Sequence, residues 1–316
     1  MTTEEFSTHR AALSGLYAAV TTPTLATGAL DLATFDRHVE LLFDAGVDGI
    51  CLGGATAEYP HFEIRERQEL IRRATRLVPR DKTLLVAIGA TSYARVLELG
   101  RSAFEHGSRA VLVPMPMFFR YQQQDLLAYC TQVARTLAAP CLLYDLPDFT
   151  TPLDTGTVLE LLAHESHIVG IKDSSGQADR LPRLTGARGD RDWALLVGDD
   201  SKLVDGLTLG WDGGVSGLAS FCPELLVELV RAVRTVDAPR VARARALLDE
   251  LIQEINGLPV PWGIRIGLEA RGLPMGPLPW PVSLGREAQA ARVKAWVPSW
   301  LERVNARDWS RVSSSM

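Results

Sequence analysis

The sequence has few of the features that mark secreted, metal-binding or nucleic-acid-binding proteins. Its four cysteines stand far apart without a C-x-x-C pair, which argues against a zinc site or a disulfide framework and for reduced thiols. Lysine and arginine are dispersed and the net charge is −5, so no basic surface for nucleic acid is indicated. The first residues contain no leader-like segment, and no apolar run reaches membrane-spanning length. We therefore expect a cytoplasmic protein that binds a small molecule.

What the sequence does contain is a regular alternation of apolar runs and amphipathic segments. Of its 316 residues, 47% are hydrophobic and 22% are charged, which allows a substantial core. The short runs are apolar throughout, as is typical of parallel strands buried on both faces. They predict eight strands, at residues 15–22, 48–54, 83–90, 109–116, 140–147, 167–175, 193–200 and 212–219.

The segments between these runs have the apolar spacing of helices. Residues 34–45 are one example, and Gly46 follows them as the expected helix end. Their apolar stripe consists of Phe35, Val39, Leu42 and Phe43. Eight β–α repeats predict an α/β protein with a (β/α)8 TIM barrel over residues 1–235. A doubly wound sheet is the alternative, but it usually has fewer strands and a glycine-rich first turn, which this sequence lacks.

The strand signals stop after residue 236, where the pattern changes to helices. Residues 236–316 are therefore predicted to form a C-terminal helical domain that packs on the barrel. It has helical periodicity at 241–255 and 286–304, a proline-rich stretch between them and a frayed tail at 307–316.

Lys172 is the first candidate for catalysis, because reactive groups of such barrels lie at the C-terminal ends of the strands. It follows the apolar residues 168–171, so its side chain leaves a buried strand at the barrel mouth. Burial disfavours the ammonium form and makes a free amine available to attack a carbonyl. Alternatively, Lys172 pairs with Asp173 or another carboxylate at the rim. Its position alone leaves both interpretations open.

Motifs around Lys172 and at other strand ends carry more information. They are GIKDSSG at Lys172, YDLPDFT upstream, GDD and GVSG downstream, and LPVPWGIRIGLEARGLPMGPLPWP near the C-terminus. Because these motifs occur in this order, most of them at predicted strand ends, the chain resembles the dihydrodipicolinate synthase/N-acetylneuraminate lyase family over nearly its whole length. The resemblance implies a class I aldolase or lyase in which Lys172 forms an imine with pyruvate or another 2-oxo acid, without a metal or dissociable cofactor. It also implies a homotetramer of two tight dimers, or a homodimer.

The resemblance further implies roles for two residues beside the imine. Tyr144 matches a tyrosine that moves protons during the reaction; otherwise it is a core tyrosine whose hydroxyl reaches water. Residues 54–58 match a loop whose backbone N–H groups bind the carboxylate of pyruvate, which Ala55 and Thr56 can still do. Thr56 also keeps a hydroxyl able to bond Tyr144. A plain tight turn would explain the glycines but not the Thr-x-Glu that follows them.

Three acidic or hydroxyl residues at other strand ends have smaller expected roles. Glu58 is predicted to be a structural carboxylate rather than a base. Asp200 and Ser216 are candidates for binding substrate hydroxyls, since the family lyases use the same loop in that way. The adjacent acids at 199 and 200 are weak grounds for a metal site, because no histidine or third acid accompanies them.

Three positions depart from the family pattern. The first hydroxyl residue of the carboxylate loop is Ala55, the tyrosine that dimer partners exchange falls at Phe118, and the arginine for the second substrate's carboxylate falls at Phe149. These losses argue against dihydrodipicolinate synthase activity, because a phenyl ring cannot replace a bidentate arginine. Phe149 is expected in the acceptor half of the pocket. The whole apolar set forms either that half or core and interface packing: Met115, Met117, Phe118, Phe119 and Phe149.

The first functional hypothesis is a Schiff-base lyase or aldolase that cleaves or forms a 2-keto-3-deoxy acid with pyruvate. A sugar-acid dehydratase, a dihydrodipicolinate synthase and an aromatic-aldehyde aldolase would use the same lysine. Two alternatives come from other classes: a non-catalytic 2-oxo-acid binding protein and a phosphate-binding isomerase on the same barrel. Borohydride reduction with pyruvate distinguishes them, because only an imine leaves a mass adduct on Lys172.

Overall fold

The computed structural model describes residues 9–306, so the predicted tail at 307–316 lies outside the described residues. Eight parallel strands close into a barrel in which each strand pairs with the next and the last pairs with the first. The strands are β1 Gly15–Ala19, β2 Gly49–Leu52, β3 Thr83–Ala87, β4 Ala110–Pro114, β5 Cys141–Asp145, β6 Ile168–Asp173, β7 Ala194–Val197 and β8 Gly213–Ser216. Each lies within a predicted apolar run, which confirms the TIM barrel.

Helices alternate with the strands around the barrel and continue beyond the last strand. They are α1 His9–Ala12, α2 Leu32–Asp44, α3 Ile64–Leu77, α4 Tyr93–Glu105, α5 Gln123–Leu137, α6 Thr155–His164, α7 Arg180–Arg188, α8 Leu203–Thr208, α9 Pro223–Arg234, α10 Ala238–Ile255, α11 Trp262–Ala270 and α12 Leu284–Asn305. Short 3₁₀ turns follow several strands at the barrel mouth, among them one at Ala55–Ala57 and one at Asp200–Lys202.

Helix α2 illustrates how local sequence produces these elements. The Asp31 carboxylate accepts a hydrogen bond from the Thr34 N–H at 3.0 Å and so caps the first turn. Gly46 follows the helix with φ of 93°, a left-handed conformation that glycine adopts without steric cost. The predicted stripe faces the core: Phe35, Val39 and Leu42 are buried and Phe43 packs against them.

Alternate strand residues build two separate apolar clusters. One fills the barrel interior, and the other lies between the strands and the helices. In β4, for example, Leu112 belongs to the inner cluster while Val111 and Val113 belong to the outer one. The interior of the barrel is therefore packed with side chains, as is usual for this fold.

Beyond β8 the structure contains only helices within the described residues. Helices α10 and α12 confirm the two predicted helical segments, and Trp300 of α12 packs in the core with its ring centroid 5.8 Å from that of Phe221. Helix α11 was not predicted, because it lies in the stretch interpreted as a proline-rich connection. The domain division between residues 235 and 236 stays a prediction. No helix among residues 9–306 is long and apolar enough to cross a membrane.

Candidate active site

Lys172 and Tyr144 lie side by side at the carboxyl ends of neighbouring strands. They are opposite each other in the register of β5 and β6, and both are buried. The Nζ atom of Lys172 is 4.1 Å from the centroid of the Tyr144 ring. This contact leaves a phenol next to any group bonded to Nζ.

Two glycines at neighbouring strand ends lie next to this pair. A Cβ atom at Gly198 would be 2.9 Å from Cε of Lys172, so the lysine side chain passes directly over the end of β7. A Cβ atom at Gly54 would be 3.8 Å from the Tyr144 hydroxyl, which brings that hydroxyl to the loop after β2. Glycine at position 198 therefore allows the lysine to pass close to the end of β7, whereas a Cβ atom at Gly54 would make only ordinary van der Waals contact with the phenol.

The loop after β2 presents backbone N–H groups beside Tyr144. Its 3₁₀ turn begins at Ala55, and its hydrogen bonds begin with the Ala57 N–H, which donates to the Gly54 carbonyl at 3.1 Å. The N–H groups of Ala55 and Thr56 precede those bonds, at the position where a helical turn leaves its first N–H groups without a partner inside the turn. Ala55 packs against the apolar cluster that contains Tyr144.

Glu58 holds this loop to the C-terminal helices. Its backbone is left-handed, with φ of 51°, and its buried carboxylate accepts a hydrogen bond from Arg265 of α11 at 2.7 Å. The second guanidinium nitrogen of Arg265 donates to the carbonyls of Met275, Gly276 and Pro277. The expectation of a structural carboxylate at Glu58 is therefore confirmed.

Asp200 and Ser216 lie at the ends of β7 and β8, near Thr56. A Cβ atom at Gly217 would be 3.3 Å from the Thr56 hydroxyl oxygen and 4.0 Å from a carboxylate oxygen of Asp200. The Asp200 carboxylate accepts the Leu218 N–H at 3.1 Å, and Ser216 also bonds to it. Burial raises the pKa of Asp200 to about 6, so the carboxyl changes charge in slightly acidic solution. The structure thus brings Asp200, Ser216 and Thr56 together.

The apolar residues singled out in the sequence divide into different environments. Met115 is buried in the core, whereas Phe149 is half exposed in the loop after β5. Phe118 and Phe119 are exposed beyond the end of β4 and contact each other edge to face, with centroids 5.0 Å apart. With Met117 they line a groove of about 700 Å³ between α4 and α5. None of the aromatic contacts in residues 9–306 joins these rings to Lys172 or Tyr144.

Two arginines near the site were not among the residues predicted from the sequence. Arg265 lies in the unpredicted helix α11, and Arg180 begins α7 and lies buried behind β5 and β6. The apolar spacing of Ile264 and Leu268 was the available signal for α11. No local pattern distinguishes Arg180 from other arginines. Among residues 9–306, no group of three His, Cys, Asp or Glu side chains could hold a metal ion.

The fold and the site together define a (β/α)8-barrel protein with a C-terminal helical part and a buried lysine–tyrosine pair at its mouth. Comparison with known proteins narrows this class. Residues 12–297 match the model of the dihydrodipicolinate synthetase family, and the chain belongs to that family of class I pyruvate-dependent aldolases and lyases. It is accordingly a lyase of the class I aldolase type.

Several relatives are similar over most of the chain. The 4-hydroxy-tetrahydrodipicolinate synthase of Dechloromonas aromatica is 31% identical over 83% of this chain and 91% of its own length. The enzyme of that name from Nitrosospira multiformis is 33% identical over 84% of this chain and 91% of its own. Among solved structures, the prophage protein YagE of E. coli K12, of the same family and in complex with pyruvate, matches with a TM-score of 0.83 and 27% identity. That match covers 92% of this chain and 99% of YagE.

Proposed function

We propose that this protein is a Schiff-base lyase that cleaves or forms a 2-keto-3-deoxy acid, with pyruvate as the partner that forms the imine. The observation that carries the proposal is the buried pair of Lys172 and Tyr144, in which Nζ lies 4.1 Å from the ring centroid. An amine that attacks a carbonyl needs a nearby group that exchanges protons with the carbonyl oxygen. A binding site alone would need neither side chain.

The remaining candidate residues have assignable roles around that pair. The N–H groups of Ala55 and Thr56 would bind the carboxylate of pyruvate, which is the anion expected at the start of a helical turn. The family resemblance supports a role for Thr56 in holding the Tyr144 hydroxyl through its own hydroxyl, and Asp200 and Ser216 would bind hydroxyls of the substrate chain. Asp200 accepts such bonds best above pH 6, where its carboxyl is ionised.

The reaction follows from these positions. The neutral amine of Lys172 attacks the C2 carbonyl, Tyr144 donates a proton to the carbinolamine oxygen, and water leaves. The protonated imine accepts the electron pair of the C3–C4 bond while Tyr144 removes the proton of the C4 hydroxyl, which releases an aldehyde and leaves an enamine. Protonation at C3 and addition of water to the imine then release pyruvate and restore the amine.

The acceptor half of the pocket favours an aldehyde that has no carboxylate at the position where dihydrodipicolinate synthases bind the carboxylate of their second substrate. Phe149 would face that part of the substrate, and a phenyl ring supplies no charge for a second acid group. Sugar-derived aldehydes, which present hydroxyls to Asp200 and Ser216, fit this environment. Dehydration of a sugar acid through the same imine is the second candidate, supported by the acid at Asp200 that could exchange a proton with a leaving hydroxyl.

A turnover screen tests the proposal. The protein is incubated with a panel of 2-keto-3-deoxy acids, and released pyruvate is measured with lactate dehydrogenase. We expect pyruvate from at least one sugar-derived substrate, and a borohydride-stable adduct of pyruvate on Lys172. Absence of any adduct would refute the imine mechanism. Faster condensation of pyruvate with aspartate semialdehyde than with sugar aldehydes would instead favour dihydrodipicolinate synthesis.

We also propose that the protein works as a homotetramer or homodimer, with Phe118 at the contact. Phe118 is 91% exposed and has φ of 79°, a conformation that is unfavourable for a bulky residue without a compensating contact. It lies in an apolar groove with Phe119 and Met117. Exposed apolar patches of this kind mark protein contacts.

Phe118→Ser is expected to shift the assembly toward smaller species at equal protein concentration, because it removes a large apolar side chain from that contact. Sedimentation velocity measures the change. Val236→Ser is the matched control, since Val236 is also an exposed apolar residue with positive φ but follows α9. A wild-type protein that sediments only as a single 34.5 kDa chain would contradict the proposal.

We propose a cytoplasmic location because the cysteines are reduced. All four thiols, at Cys51, Cys130, Cys141 and Cys222, are buried and free of disulfides, as suits a reducing compartment. Fractionation of the source cells checks this, and recovery of the protein outside the cytoplasmic fraction would exclude it.

Arg265→Met is expected to weaken pyruvate binding more than catalysis. The change leaves the buried Glu58 carboxylate without its partner, so the turn that carries the Ala55 and Thr56 N–H groups loosens. We expect the KM for pyruvate to rise about tenfold, equivalent to ~1.4 kcal/mol. Steady-state kinetics give KM and kcat, and thermal melting reports the accompanying loss of stability.

A double variant and a control make this result specific. Glu58→Gln combined with Arg265→Met should bind pyruvate no more weakly than Arg265→Met alone, because the two residues act through one contact. Arg271→Gln removes an ion pair with Glu224 just after the same helix, and should leave KM unchanged. An Arg265→Met protein that is less stable but has normal KM would limit Arg265 to a role in stability.

A further inference from the structure

Two acids lie on the outer side of the strands that carry Lys172 and Tyr144. Asp145 follows Tyr144 in β5, Asp173 follows Lys172 in β6, and the two acids are paired in the same register. Successive side chains of a strand point to opposite faces, so the acids point away from the barrel mouth toward the helices. Both are buried, Asp145 at 0% exposure and Asp173 at 4%.

Arg180 lies between these two acids. Its Nη1 atom donates to a carboxylate oxygen of Asp145 and, at 3.3 Å, to Oδ1 of Asp173. Its Nη2 atom donates to the carbonyl of Leu153, whose own N–H donates to Asp145 at 3.0 Å. Arg180 therefore joins the end of β5, the end of β6 and the loop that leads to α6. Its side chain is 1% exposed, so solvent does not screen these contacts.

The charges in this buried group are unequal, with two acids and one cation. Burial raises the pKa of Asp145, and the Arg180 guanidinium opposes that rise. On the α6 side, the Leu153 N–H donates to Asp145 and the Leu153 carbonyl accepts from Arg180. Asp173 also accepts the Ser175 N–H at 3.0 Å, and Asp199 after β7 accepts the Ser201 N–H at 3.0 Å. Arg180 is thus the cation that keeps Asp145 and Asp173 from repelling each other.

We propose that Arg180 is a positioning residue for the reaction, which holds the ends of β5 and β6 together and thereby sets the distance between Tyr144 and Lys172. This inference rests on the proposed imine mechanism. Without the guanidinium, two carboxylates on paired residues repel each other, and the strand ends separate unless one acid binds a proton. The side chains directly before them, Tyr144 and Lys172, would move with those ends.

Arg180→Gln tests this role through the pH dependence of kcat. We expect kcat to fall about 20-fold at pH 8.5, while the KM for pyruvate stays within about twofold of the wild-type value. The ratio of variant to wild-type kcat should recover toward pH 6, because burial and the Asp173 charge raise the pKa of Asp145 once Arg180 no longer opposes them, and a proton bound by Asp145 removes the repulsion. Melting curves at each pH give the folded fraction, and kcat is calculated per folded molecule.

Two further variants separate positioning from stability. Asp145→Asn in the Arg180→Gln background should restore kcat and remove the abnormal pH dependence, because the asparagine oxygen still accepts the Leu153 N–H and one charge is gone. Arg180→Lys keeps the charge and should show an intermediate kcat with a wild-type pH profile; it serves as the test if Arg180→Gln does not fold. Arg183→Gln, one turn along α7 and exposed, is the control and should change nothing.

The outcomes distinguish this inference from the proposed function. A wild-type protein that forms the pyruvate adduct, with an Arg180→Gln variant whose folded fraction has wild-type kcat and pH profile, would overturn the positioning role alone. Failure of Asp145→Asn to rescue Arg180→Gln would overturn it as well. Absence of any adduct in the wild-type protein would refute the imine mechanism, and the role of Arg180 would fall with it.

Discussion

Lys172→Met is expected to abolish trapping of pyruvate by borohydride and to reduce turnover by at least ~10³-fold. Methionine has a similar shape and can occupy the same channel beside Tyr144 and Gly198, so the fold should persist. Methionine has no amine and therefore cannot form an imine. The alternative route through an unstabilised carbanion is far slower. Intact-protein mass spectrometry after reduction measures the adduct, and the coupled pyruvate assay measures turnover.

The other lysines allow a direct control for this prediction. They are Lys82, Lys202 and Lys294. Lys294 is exposed on α12 and pairs with Glu269 at 3.6 Å, so Lys294→Met should keep both the adduct and the activity. Peptide mapping of the wild-type adduct should place the added mass at Lys172. An adduct that survives in Lys172→Met would transfer the role to another amine.

The strands of the barrel could be predicted because their environment leaves a clear local pattern. A parallel strand between the barrel interior and the helices is buried on both faces, so a segment such as 168–171 is apolar at every position. The rule that reactive groups follow the strands then selects Lys172 and Tyr144. Their contact follows from pairing of consecutive strands in a closed barrel.

The surroundings of the site were harder to predict because they depend on contacts between distant parts of the chain. Arg265 and Glu58 are separated by 207 positions, and the flanking prolines of α11 resemble a loop. Arg180 is a cation at a helix start, where the helix dipole gives it no local advantage. Only the fold shows that it lies beside Asp145 and Asp173.

The apolar residues at the barrel rim show a different limit. Met115 and Phe118 are three positions apart in an irregular segment, yet one is buried and the other is 91% exposed. Periodicity distinguishes faces within helices and strands, but it carries no information where the chain has no regular structure. The two interpretations of this apolar set could therefore be separated only residue by residue.

Gly198→Ala is expected to slow imine formation about 100-fold while the barrel still folds. A Cβ atom at this position would lie 2.1 Å from Oγ of Ser174, 2.9 Å from Cε of Lys172 and 3.1 Å from the Asp173 carbonyl. The Ser174 hydroxyl can rotate away, but the Asp173 carbonyl is held by the Gly198 N–H at 2.7 Å. The lysine side chain must therefore move, and a displacement of about 1 Å is enough to misalign the attacking amine.

Gly186→Ala provides the matched control for this prediction. Gly186 lies inside α7, and an added Cβ would have no atom within 4 Å apart from its chain neighbours and the backbone of its own helix. Alanine should therefore raise the melting temperature through its helix propensity, worth about 1 kcal/mol, and leave the rate unchanged. The rate of adduct formation, followed by rapid quenching with borohydride, compares the two variants. A Gly198→Ala protein that forms the adduct at the wild-type rate would show that the amine reaches the carbonyl by another path. The close approach of Lys172 to β7 would then be irrelevant to catalysis.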